Sequence, residues 1–89
     1  MNNNERIATE LMGWEGVVKS FNPYKHPVHT TAVLNKLREI GSHTLIYCKG
    51  GWEACVWDQA GEGYAGEGDT WMEALCNAVI AYLDGVKDE

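Results

Sequence analysis

GEGDTWMEALCNAVIAYLDG, residues 66–85, is the stretch on which the fold turns. Thr70 and Glu73 make the S/T-x-x-E pattern of a capping box. A hydroxyl and a carboxylate there each satisfy a backbone N–H that the first helical turn leaves unpaired. Asp69 and Glu73 add negative charge where the helix dipole is positive. Trp71, Met72, Leu75, Ala78, Val79, Tyr82 and Leu83 then recur at three- and four-residue steps, which sets them on one broad apolar stripe. The spacing predicts a helix over residues 69–85, and such a stripe needs a sheet to lie on.

Residues 43–67 supply that sheet. Residues 43–48 and 52–58 are rich in β-branched and aromatic side chains and are separated by Lys49, Gly50 and Gly51. A two-residue turn at Gly50-Gly51 pairs Lys49 with Trp52, Tyr47 with Ala54 and Ile46 with Cys55. Alternation then gathers Leu45, Tyr47, Trp52, Ala54 and Val56 on one face, and Ile46, Cys48, Glu53, Cys55 and Trp57 on the other. Both faces are largely apolar, so each should be covered, by helices on both sides or by helices on one and a partner subunit on the other. Residues 59–62 read as a turn and residues 63–67 as a short third strand.

Further upstream, Pro27 suits a first helical turn, and Val33, Leu34, Leu37 and Ile40 form a stripe that stops at Gly41. A helix over residues 27–41 follows. Residues 14–26 hold an Asn22-Pro23 step and no sustained period, and read as an ordered loop returning Trp14, Val17, Val18 and Phe21 to the core. Residues 1–13 open with three Asn able to cap a helix, with Ile7, Ala8, Leu11 and Met12 on one face. The expected architecture is one α+β domain over residues 1–89, in the order α-α-β-β-β-α. It is a layered sandwich, a small three-stranded antiparallel sheet with helices packed on it.

Eighty-nine residues support one small core, since a chain of this size buries only roughly 60–65% of its unfolded surface. Thirteen acidic against seven basic residues give a formal charge of −6, which repels phosphate backbones and disfavours nucleic acid as a partner. No run of about 18 apolar residues is present to span a membrane, and the polar opening MNNNER is no signal peptide, so a cytoplasmic protein is expected. Cys48, Cys55 and Cys76 are an odd number in apolar settings, as buried thiols of a reducing compartment would be.

Several short motifs carry a family resemblance: Phe21-Asn22-Pro23, Val33-Leu34-Asn35-Lys36-Leu37, Trp52-Glu53-Ala54-Cys55-Val56, and Gly68-Asp69-Thr70 followed by Glu73-Ala74 and Ala78. Together they resemble the phage ABA sandwich domain and, more distantly, the NinX-like proteins, small phage and prophage proteins of unknown function. The resemblance implies a phage origin and a layered helix–sheet–helix fold, and supplies no catalytic residues. Its departure is His26-Pro27-Val28-His29, where a more polar helix start is expected. GDTWMEALCNA, residues 68–78, also resembles the end of a HicB-type antitoxin domain. The helix–three strands–helix order is similar to a double-stranded-RNA-binding domain, but Asp69 and Glu73 stand where that family has phosphate-gripping lysines.

Four groups of residues invite a chemical role. His26 and His29 with a thiol from Cys48 or Cys55 have zinc-ligand chemistry, yet no C-x-x-C accompanies them and both also suit a helix start. Cys48 and Cys55 fall on one expected sheet face, where Glu53 and Trp57 do not make the positive setting a thiolate needs. The glycines of GEGYAGEGD precede a helix as a phosphate loop does, but the spacing fits no known fingerprint and Glu62, Glu67 and Asp69 oppose an anion. Trp52, Trp57, Tyr64 and Trp71 exceed what one small core needs, and serve either packing or an interface or stacking surface.

No paired nucleophile and base is present, and no metal or cofactor is implied. The residues point to a non-enzymatic accessory protein that binds a host or phage protein, or itself as a homo-oligomer. A small nucleotide-like ligand stacking on the aromatics and an antitoxin role are the alternatives.

Overall fold

Asn2 opens the first helix. In the computed structural model, which describes residues 2–14 and 20–87, its side chain accepts the Glu5 N–H at 2.9 Å. The helix runs as α1 (Asn3–Arg6) and continues as a π-helical stretch, Ile7–Leu11, in which the Met12 N–H reaches the Ile7 carbonyl at 3.0 Å. Ile7, Ala8 and Leu11 are buried there. Arg6 anchors the segment, holding Glu10 at 2.8 Å and Asp84 of the last helix at 2.6 Å. Of the loop residues expected in the core, Phe21 is buried, Trp14 packs edge-on against it at 4.8 Å but stays exposed rather than entering the core, and Val17 and Val18 lie outside the described residues.

α2 (Pro27–Glu39) starts at Pro27, where the missing N–H costs nothing. It ends in a Schellman motif: Gly41, at φ +79°, donates to the Arg38 carbonyl and Ser42 to that of Leu37. Gln59 adds a side-chain bond to the Ile40 carbonyl at 2.8 Å.

Three strands follow, β1 (His43–Cys48), β2 (Trp52–Trp57) and β3 (Gly63–Gly68), in an antiparallel sheet of order β1-β2-β3. The β1–β2 connection is not the two-residue turn that the paired glycines suggest. Lys49, Gly50 and Gly51 all belong to it, both glycines at positive φ, and Cys48 rather than Lys49 faces Trp52. The slip of one residue turns β1 over. Ile46 and Cys48 therefore share a face with Trp52, Ala54 and Val56, whereas Leu45 and Tyr47 join Glu53, Cys55 and Trp57.

α3 (Trp71–Lys87) lies across β2 and β3. Its start is capped as expected by the Thr70 hydroxyl, which accepts the Glu73 N–H at 3.1 Å. The Glu73 carboxylate reaches one residue further back than a capping box requires and accepts the Asp69 N–H at 3.0 Å. Gly66 makes the helix–sheet contact: a Cβ there would sit 2.6 Å from the Ala74 carbonyl oxygen and nearer still to the Ala78 nitrogen. The helix runs past residue 85 to Lys87, so Gly85 is an internal residue rather than a cap.

Ile7, Phe21, Val33, Leu37, Val56, Leu75 and Val79 belong to one buried cluster fed by every helix and by one face of the sheet. The described helices thus share one side of the sheet, so of the two expected arrangements the one with helices on both faces is not adopted among the described residues. A polar chain runs along one flank: Asn3 donates to Tyr24, Tyr24 to Asn77, and Asn77 to the Glu67 carbonyl on β3. Among the described residues no helix is long and apolar enough to cross a membrane.

Candidate functional site

Since the helices take the face of Ala54 and Val56, the odd-numbered residues of all three strands form the open face. Leu45 is 52% exposed and Tyr47 40%, both beside the partly exposed Cys55 and Trp57. The Tyr47 hydroxyl bonds the Glu53 carboxylate, and that bond raises the phenol's pKa above its ordinary value. Trp57 lies across the start of β3, where a Cβ on Gly63 would be 2.8 Å from the indole nitrogen and 3.2 Å from Cys55 Sγ. Glycine at 63 thus lets the indole rest on the sheet, an arrangement that covers an otherwise bare edge strand.

The four aromatics singled out from the sequence do not come together. Trp57 is on the open face. Trp52 and Trp71 pack against the helix-side core, and Tyr64, paired with Val56, meets Tyr82 edge-on at 5.7 Å on that same side. Leu45 and Tyr47 take their place beside Trp57, because the three-residue connection shifts β1 by one residue relative to the register of a Gly50-Gly51 turn.

Other sequence candidates are accounted for structurally. Gly66 and Gly68 make room for α3, with a Cβ on Gly68 only 2.8 Å from the Ala74 nitrogen, so they cradle a helix rather than a phosphate. A hollow of about 370 Å³ beside Trp52 is bordered by Glu53, Glu67 and Asp69 against the single Lys49, an acidic lining hostile to phosphates. His29 Nδ1 accepts the Asn22 N–H at 2.9 Å and its ring stacks on His26 at 4.2 Å, which fixes the loop before α2. No group of three or more metal-ligating side chains is found among the described residues.

All three cysteines are free thiols, but they are not alike. Cys48 is exposed, Cys55 is partly exposed on the opposite face from it, and only Cys76 is buried, so the expectation of three buried thiols and of a shared face for Cys48 and Cys55 is corrected. Burial pushes the Cys76 thiol up to about 12.

No protein-family model, no curated protein and no solved structure matches the chain.

Proposed function

We propose that this chain is a small, non-enzymatic accessory protein of a phage or prophage, which works in the host cytoplasm by binding protein, and that its open sheet face packs against the same face of a second copy. The observation that supports this is the outward layer of Leu45, Tyr47, Cys55 and Trp57 on a sheet whose other face carries the helices. Exposed apolar groups collected in one layer mark interaction surfaces more often than isolated ones do.

The charges suit a two-fold pairing. Glu53 and Glu67 stand at one end of the face and His43 at the other, so antiparallel stacking keeps the glutamates of the two copies apart and sets each His43 beside the other copy's Tyr47–Glu53 pair. Three strands of six residues cover about 14 by 20 Å. That footprint is below the roughly 800 Å² per partner of a standard interface, so the dimer exchanges readily with monomer.

Mass measurement by light scattering across about 1–500 μM, a range chosen for weak association, tests the proposal. A concentration-dependent rise towards the dimer mass is expected, abolished by Leu45→Glu with the thermal transition unchanged. A monomer mass throughout would refute the pairing.

A further inference from the structure

The free edge of β1 carries a second surface, distinct from the open face. Lys49 N–H donates to the Gly51 carbonyl at 2.7 Å, and Asp58 N–H to that of Glu62 at 2.9 Å. Antiparallel hydrogen bonding alternates along a strand, so the backbone groups of Leu45 and Tyr47 point at β2 and those of Thr44, Ile46 and Cys48 point outward. The same alternation on β3 turns Glu67 outward, where its carbonyl receives the Asn77 amide. Edges are ordinarily blunted by charge, proline or a bulge, and HTLIYC has no lysine, acid or proline.

Beside this edge lies a groove of about 350 Å³ between α2 and β1, lined by Leu34, Arg38, Ser42, His43, Thr44 and Ile46. The tight turn through Gly41 folds β1 back along α2, so Arg38 lies near Ser42 and Thr44, and Leu34 lies one turn further on, near Ile46. Leu34 and Arg38 are about 6 Å apart along the helix, and Ile46 and Thr44 about 6.7 Å apart along the strand. The groove thus has an apolar half and a basic half at the spacing of alternate residues on an added strand. Arg38 is exposed and makes no ion pair among the described residues.

We propose that this groove receives an extended peptide segment, which adds to β1 as a fourth strand, places an apolar side chain between Leu34 and Ile46, and sets a carboxylate two residues away against Arg38. Main-chain bonds to Thr44, Ile46 and Cys48 supply the affinity of such strand addition, and the two half-pockets supply the selectivity. A second copy of β1 is the poorer occupant. Its helix-side residues are Thr44, Ile46 and Cys48, with no carboxylate to meet Arg38.

The test is fluorescence anisotropy of the full chain with dye-labelled peptides of about eight residues, rich in Thr and Val and carrying Ile-x-Asp. Saturable binding is expected, lost when alternate backbone nitrogens are methylated and weakened about tenfold when Asp is replaced by Lys. Arg38→Glu, at an exposed position, should reverse that preference, an outcome that a general loss of folding does not give. Absence of binding at millimolar peptide, equal binding of the Asp and Lys peptides, or concentration-dependent protection of the Thr44, Ile46 and Cys48 amides without peptide would each overturn the proposal. Arg38→Glu should leave the concentration-dependent rise towards the dimer mass unchanged, which separates failure here from failure of the open-face dimer.

Discussion

Gly85 lies in the last turn of α3, two residues before its end, where glycine still costs up to about 1 kcal/mol relative to alanine. The structure explains its presence by Tyr64, whose ring lies so close that a Cβ at 85 would be 2.7 Å from Cζ and 2.8 Å from the hydroxyl. Gly85→Ala should therefore destabilise the wild-type protein by about 1–3 kcal/mol through overpacking. In a Tyr64→Ala background it should stabilise by about 0.5–1 kcal/mol, and urea unfolding of the four proteins reads the change of sign. Cys76 makes a second residue-scale prediction. Its thiol is held up to about 12 against an ordinary 9.0, so between those values the unfolded chain has lost a proton that the folded chain keeps. Its contribution to stability is complete below about pH 9 and is lost as pH rises, with a slope of up to about 1.4 kcal/mol per pH unit. Denaturant midpoints from pH 8 to 10.5 should fall more steeply for wild type than for Cys76→Ala.

At the scale of elements, the helices depend on their ends. Thr70→Ala leaves the Glu73 N–H without its acceptor and should cost about 1 kcal/mol, while Thr70→Ser, which keeps the hydroxyl, should cost a few tenths. Thermal melting distinguishes the two. The caps at Asn2 and Thr70, Pro27 at the start of α2 and Gly41 at its end were all legible in the residues, because each is settled within four positions of the chain. The hairpin was not. Gly50-Gly51 is compatible with a two-residue turn, and the packing of Ile46 against the helix-side core selects the three-residue connection. One residue of slip was enough to exchange Leu45 and Tyr47 for Ile46 and Cys48 on the open face, and so to hide both proposed surfaces from a reading of the sequence.

At the scale of the molecule, the N-terminal helix is part of the core rather than an appendage. Ile7 is fully buried, and Arg6 and Asn3 connect its turn to Asp84 and, through Tyr24, to Asn77. Ile7→Ala should cost about 2–5 kcal/mol, and in a domain this small each kcal/mol lowers the melting temperature by roughly 4–8 °C. Equal hydrogen-exchange protection of the Met12 amide, which bonds the Ile7 carbonyl, and of the β1–β2 hairpin amides would check that the segment and the sheet unfold together. The order of the helices and the three antiparallel strands follow from local patterns: periodicity, caps and turn residues act over one or two turns and are written in neighbouring positions, whereas the π-helical turn at Ile7–Leu11 has no such signal. Which face of the sheet is left open, why α3 continues through Gly85, and where β1 presents its free edge depend on contacts between residues far apart in the chain. Tyr64 against Gly85, Ala74 and Ala78 against Gly66, and α2 beside β1 arise only when the layers close, because close packing compares side chains whose distance in sequence bears no relation to their distance in space.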